Sequence, residues 1–243
     1  MWDKNKLVNK IEFVALDKHS FEICPKPFPA SQAIPDWWKN ASPYIKSSEN
    51  PTGKKIIVEN FESNASFKKC TPMLDLLSAG YIVPLWADVQ VTQNVSGPNL
   101  TWRVSQNVFE LHDGQEVEIP DGYSQTQFKF LNQWVPKLPK GYSALIIACP
   151  GYPNNPFRPI QAIIDYDKTT HPLSPPVYLK ENFEGIVEKG TPMFQIIPFK
   201  RNNWKSEFSF FPDGQKQINM DRDIKSTIVN NYVKGFWEKK SYK

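Results

Sequence analysis

The chain has 243 residues, 40% of them apolar and 14% aromatic, which is ample for a buried core and excludes a disordered chain. Net charge is +4, of which +3 falls in the last ten residues, KGFWEKKSYK; the near-neutral remainder lacks the broad basic face of a nucleic-acid reader. Twenty-two prolines against eleven glycines disfavour long helices and favour short strands joined by stiff loops.

Taken in order, Ile11–Leu16 and Phe21–Cys24 are short apolar runs parted by Asp17-Lys18, the pattern of a hairpin. Five prolines between Pro25 and Pro43 then keep the backbone extended or turning. Within that arm, Pro35-Asp36-Trp37-Trp38-Lys39 predicts one helical turn with proline at its start. The tryptophan pair reads in two ways, as rings that pin the arm by packing or as a stacking platform for a base or sugar, and packing is the commoner use of large aromatics. Lys55–Val58 and Ser66–Lys69 read as strand segments around polar loops, and Cys70–Leu77 as a short helix.

Gly80–Val91 is apolar, then alternating, with Pro84 marking an edge position or a bend. Leu100–Val104 and Val108–Leu111 are further short strands, Asp113-Gly114 is a turn dipeptide, and Phe128–Val135 is aromatic-rich and ends at Pro136. Three runs in Pro139–Arg201 form the centre of the chain: Ser143–Cys149, Pro159–Ile164 and Met193–Phe199. Each is bracketed by Gly, Pro or Asn turns, as buried strands are. Asp165 and Asp167 follow directly on the second run. They read either as carboxylates held at a site by a rigid strand or as an acidic turn where a strand meets water. Alternation puts Ile164 and Asp165 on opposite faces, with Ile164 inward. From Ile218, apolar residues recur every four positions through Ile224, Ile228, Tyr232 and Phe236, which predicts an amphipathic helix of about 20 residues ending at Trp237. That stripe needs a covering surface, its own domain or a neighbouring subunit.

Cys24, Cys70 and Cys149 are odd in number and far apart, the usage of a reducing compartment rather than of a disulfide framework. With His19, His112 and His171 they show no zinc-ligand spacing. Lys4, Lys6, Lys10 and Glu12 interrupt any leader-like apolar run, and no segment approaches the ~18 apolar residues of a membrane span. The expectation is a soluble, intracellular protein with no membrane and no specific nucleic-acid partner, and a virion-associated protein reads the same.

Four stretches carry a family resemblance. SAGY at Ser78–Tyr81, PKGYSALIIACPG at Pro139–Gly151, QAIIDYD at Gln161–Asp167 and EKGTPMFQIIPFKR at Glu188–Arg201 resemble, in order, the first four motifs of the dUTPase and dCTP-deaminase-like fold. A long insertion over roughly 97–127 separates the first from the rest. The resemblance implies a mainly β fold, an antiparallel β sandwich or distorted barrel, to which the prolines and the helical period of this chain add a Pro-rich N-terminal arm and a C-terminal amphipathic helix. The corresponding segments are 1–54 for the arm and its strands, 55–205 for the β domain and 206–243 for the turn and helix, in one compact domain. It also implies a homotrimer, because that family builds its sites between subunits. Asp165 falls at the position of the water-activating carboxylate, and Gln195 at that of the fourth-motif Gln. Tyr166, Asp167 and Arg158 join Gln195 as candidate nucleotide contacts, with Mg²⁺ as the cofactor if the chain is an enzyme and none otherwise.

Departures from the pattern bear on activity. Ile82 replaces the first-motif Asp, Cys149-Pro150-Gly151 replaces the phosphate-binding Arg-Ser-Gly, and the glycine-rich fifth motif is missing. Neutralisation of a triphosphate needs cations at the right places, and Arg158 and Arg201 lie at other positions. The chain as a whole also resembles a family of uncharacterised tailed-phage proteins, through IPDWWKN, KKCTPMLDLLSAGYIVPLWADV, NPFRPIQAIIDYD, EKGTPMFQIIPFKRNNW and KGFWEKKSYK. The first expectation is therefore a non-catalytic phage structural or accessory protein, with other phage structural proteins as partners. A nucleotide-binding or nucleotide-hydrolysing enzyme acting through Asp165 and a host-defence antagonist that sequesters a nucleotide are the alternatives.

Overall fold

Short apolar runs stopped by proline, glycine and asparagine fold here as short antiparallel strands. The computed structural model describes residues 9–46, 66–112, 118–212, 214, 233, 235 and 237–243. Contacts group the chain into two compact units, one of Met1–Ala30 with Gly80–Asn202, the other of Ser31–Ala79 with Asn203–Lys243.

The first unit holds every strand among the described residues. In chain order these are β1 (Glu12–Ala15), β2 (Phe28–Pro29), β3 (Tyr81–Pro84), β4 (Val89–Asn94), β5 (Gly97–Thr101), β6 (Phe109–Leu111) and β7 (Phe128–Phe130). There follow β8 (Trp134–Lys137), β9 (Tyr142–Ile147), β10 (Phe157–Pro159), β11 (Ala162–Ile164), β12 (Pro176–Leu179), β13 (Gly185–Val187) and β14 (Pro192–Lys200). One helix, α1 (Lys18–Ile23), accompanies them. The molecule is mainly β, with sheets ordered β11-β9-β14-β3-β2, β10-β12-β7-β6, β13-β4-β5 and β1-β8, all paired antiparallel.

Alternation along β9 and β14 turns Ala144, Ile146, Phe194 and Ile196 into the core, all of them fully buried. From the four-stranded sheet, Phe109, Phe130 and Phe157 meet them. Phe109 stacks on Phe157 at 4.7 Å, and Phe130 sits edge-on to Phe194 at 6.3 Å, joining the two largest sheets. Each such side chain contributes about 1.5–3 kcal/mol by leaving water. Gly80 opens β3 with φ +65, and a Cβ there would lie 1.9 Å from the Ile196 carbonyl oxygen on β14. Only glycine allows the two strands to approach this closely.

In the second unit, α2 (Asp36–Asn40) realises the helical turn expected after Pro35, and α3 (Thr71–Ser78) the short helix expected near Cys70. Trp38 is buried while Trp37 stays part-exposed, and both rings lie against Phe67, which answers the tryptophan pair in favour of packing. Near the end of the chain, Trp237 Nε1 donates to both oxygens of Asp75 on α3 at 3.0 and 2.9 Å, and Lys240 Nζ reaches the same carboxylate at 2.7 Å. The basic tail is thus tied to an acidic residue of its own chain. Among the described residues no helix is long and apolar enough to cross a membrane.

Several expectations are corrected. Ile11–Leu16 and Phe21–Cys24 do not form a hairpin: the Asp17 side chain accepts the Ser20 N–H at 2.6 Å and starts α1, while β1 pairs with β8. Ser66–Lys69 opens no strand; Ser66 caps a 3₁₀ turn over Phe67–Lys69 instead. Pro159–Ile164 is not one strand. Pro159 has no N–H to continue a ladder, the Ile160 N–H goes to the Pro176 carbonyl at 2.9 Å, and the chain crosses from β10 in one sheet to β11 in another. The aromatic-rich stretch Phe128–Val135 carries β7 and the start of β8, parted at Asn132, whose amide closes a local turn with the Trp134 backbone. The strand expected at Leu100–Val104 begins earlier, at Gly97 in a hairpin with β4, and ends at Thr101. β3 ends at Pro84, which pairs with Pro192 on β14 while β2 reaches only Tyr81 and Ile82, so the proline stands where one side of the strand is a local edge. The strand at Lys55–Val58, the Asp113-Gly114 turn and most of the helix read from Ile218 to Trp237 lie outside the described residues.

Candidate functional site

The expected acidic pair lies just past β11, on a turn in which the Asp165 carbonyl accepts the Lys168 and Thr169 N–H groups at 2.9 and 3.1 Å. Alternation continues through it. Ile164 is partly buried against the core, the Asp165 side chain is 48% exposed, and Tyr166 turns inward and is buried. The Asp167 side chain comes out beside β9 and β14 but is only 2% exposed.

What covers Asp167 is Arg201, the residue that follows β14. Its guanidinium donates to both Asp167 oxygens, at 2.9 Å from Nη1 to Oδ1 and through Nη2 to Oδ2. The Gly141 N–H adds a third bond to Asp167 Oδ2 at 2.8 Å. Arg201 Nη1 also reaches the Tyr142 carbonyl and Ser143 Oγ, each at 3.1 Å, and lies 3.0 Å from Asp165 Oδ1. Ser143 Oγ donates to that same Asp165 oxygen at 2.6 Å. A planar fork meeting a carboxylate on two bonds is the strong geometry for this pair. It clamps the start of β9, the turn after β11 and the end of β14 together.

Electrostatics follow the contacts. Arg201 and then the Gly141 N–H hold the Asp167 carboxyl down at about 2. The Ser143 hydroxyl, then Arg201, holds Asp165 below the ordinary carboxylate range. A general base works best with a pKa near the operating pH, and both groups are shifted the other way. Burial pushes the Tyr166 phenol up, and its hydroxyl has no hydrogen-bond partner among the described residues.

The remaining candidates lie elsewhere. Gln195 sits mid-strand on β14, 1% exposed, in register between Ile147 on β9 and Ile82 on β3. Arg158 on β10 is exposed, its guanidinium 6.0 Å above the Tyr123 ring. It lines an open cavity of about 260 Å³ with Tyr123, Cys149, Pro150, Phe157 and Met193. That cavity is at the Ile147 end of β9, and the acidic clamp is at the Tyr142 end. Ser143 and Cys149 are six residues apart along this strand, about 20 Å at 3.3 Å per residue. Within one chain, Arg158 and Asp165 therefore do not share a site.

Burial raises the pKa of the Cys149 thiol, so among the described residues the cavity presents a neutral sulfur and the Arg158 cation. A Mg²⁺ ion, expected if the chain hydrolyses nucleotides, needs an octahedral oxygen set. Asp165 offers it one carboxylate with a guanidinium 3.0 Å away, and Asp167 is spent on Arg201. Among the described residues no group of three or more His, Cys, Asp or Glu side chains is placed to hold a metal. These residues do not fit the ion, and no reaction step through it follows. Ser143 and Gly141, which shape the clamp, were missed in the sequence; the one signal was a lone hydroxyl opening an otherwise apolar run.

Compared with protein-family models and with curated proteins, the chain matches none.

Proposed function

We propose that this chain is a non-catalytic phage structural or accessory protein built on a dUTPase-like antiparallel β sandwich, with a C-terminal amphipathic helix, that assembles as a homotrimer in the host cytoplasm or virion. The observation that carries the non-catalytic part is the state of Asp165. Its Oδ1 is bonded to Ser143 and paired with Arg201, its basicity is lowered, and it stands at the opposite end of β9 from the cavity that holds Arg158. Support for the fold part comes from β3, β9, β11 and β14. These four strands carry the stretches that resemble the family motifs, and they are neighbours in one sheet. The trimer rests on the resemblance.

One observation favours a second reading, binding of a nucleotide without turnover. The cavity beside Arg158 has aromatic walls from Tyr123 and Phe157, and among the described residues no acidic one lines it. A single experiment addresses both. The protein is incubated with a panel of deoxynucleoside triphosphates and Mg²⁺, with release of pyrophosphate and phosphate followed, and thermal shift is read in parallel. The expected result is no turnover above buffer. Turnover that disappears in Asp165→Asn overturns the non-catalytic reading. A ligand present at 100 times its Kd adds about 2.7 kcal/mol of stability, so a shift on that scale without turnover, lost in Arg158→Gln, selects the second reading.

A further inference from the structure

Two uncovered surfaces of this chain match each other. The first is a segment. After Arg201 the backbone leaves the sheet and runs without regular structure through Trp204-Lys205-Ser206-Glu207-Phe208-Ser209-Phe210-Phe211. Trp204, Phe208 and Phe210 are 90%, 96% and 93% exposed, and Phe211 is exposed as well. In an extended chain, side chains two apart share a face. Trp204, Phe208 and Phe210 then lie on one side with Ser206, and Lys205, Glu207 and Ser209 on the other. Lys205 and Glu207 pair at 3.5 Å, as neighbours on one face of an extended chain do. This is the pattern of a half-buried strand without its sheet.

The second surface is the outer face of the five-stranded sheet. Opposite the core-facing residues of β9 and β14 stand Leu145, Ile147, Ile197 and Phe199. Register continues this apolar layer across the strands, with Ile163 of β11 beside Leu145 and Leu145 beside Ile197. Cover falls off in one direction. Ile82 on β3 and Gln195 on β14 are buried, Leu145 and Ile197 are half-buried, and Ile163 on the edge strand β11 is 65% exposed. Among the described residues no strand pairs beyond β11, and a terminal strand with a bare apolar residue is a template for another strand.

We propose that the 204–211 segment of one copy of this chain docks on the β11 edge and the adjoining Leu145–Ile163 face of a second copy, adding a strand there. The three aromatic side chains of that face bury about 150–250 Å² each, roughly 450–750 Å² per segment. Two exchanged segments thus reach about 900–1,500 Å², which overlaps the range of a stable specific interface. Donor and acceptor belong to the same sequence, so exchange between identical chains covers both at once and closes without open ends. Net charge of +4 over 243 residues opposes this little. The proposal deepens the self-association of the reading above by naming its surface; that reading's catalytic part is tested separately, by nucleotide turnover.

Sedimentation velocity at micromolar concentration tests it. The wild-type chain is expected at two or more times 28.0 kDa, and F208D/F210D and Ile163→Lys at the mass of one chain with unchanged far-UV circular dichroism, since all three positions are exposed. In a Cys70→Ser background, a chain carrying Ile163→Cys mixed with one carrying Phe208→Cys is expected to form a disulfide between the two on mild oxidation. A monomeric wild-type chain overturns the proposal. So does an assembly that survives F208D/F210D, and so does a disulfide that forms only when both cysteines are on one chain, which would place the segment on its own sheet.

Discussion

At Gly80 a single hydrogen atom decides whether two strands meet. The residue sits at φ +65, and any β-carbon would overlap the Ile196 carbonyl, which is backbone in the middle of a ladder and cannot swing away. Gly80→Ala combines the strain of left-handed backbone, about 1–3 kcal/mol, with that overlap. The expected loss is about 3 kcal/mol or more in urea unfolding; a loss under about 1 kcal/mol would mean that β3 and β14 separate without consequence. Asp167 is the second decisive residue. Its folded-state pKa, about 2, lies below the ordinary value of 3.8, so the stabilisation from Arg201 and Gly141 is complete above pH 3.8 and is lost as pH falls toward 2. The urea midpoint of the wild-type chain should therefore drop between pH 4 and 2. Asp167→Asn should start lower at pH 5 and fall less over the same interval. Parallel curves would show that the clamp adds nothing to stability.

Elements were legible in the sequence where a run was long enough to carry its own period. β9 and β14 were plain as Ile-rich runs between glycine turns, and α2 and α3 from a proline and an apolar cluster. Short elements were not. β12 (PVYL) and β13 (GIV) are too brief to alternate visibly, and they exist because β10, β7 and β4 offer edges to pair with. Nor could periodicity show that Pro159–Ile164 serves two sheets, because the change of partner depends on where the Ile160 N–H finds an acceptor. α1 was misread for the opposite reason: its signal was a capping aspartate, a single residue, set among hydrophobics that suit a strand equally well. The candidate site was half legible. Asp165 and Asp167 stood out as acids at a strand end, but what they do is set by Arg201, more than thirty residues on, and no local pattern joins them.

At the scale of the whole molecule, the three cysteines report on burial at separate places in the chain. Cys24 packs in the core of the first unit, Cys149 is buried beside the cavity after β9, and Cys70 is exposed ahead of α3 in the second unit. The thiolate is the reactive form, and burial raises the pKa of both Cys24 and Cys149, which lowers their thiolate fraction as well as their access. Oxidised pairing is not at issue among them, since all three are free thiols. Native protein treated with Ellman's reagent at pH 8 should therefore release one equivalent rapidly, removed by Cys70→Ser, and three equivalents only after denaturation. The slow pair should react at the rate of local opening, so raising the reagent concentration should leave their rate unchanged once cleavage outpaces reclosing. A second fast thiol in the native protein would place Cys24 or Cys149 at the surface; for Cys149 it would mean that the wall of the Arg158 cavity is open to solvent on that side.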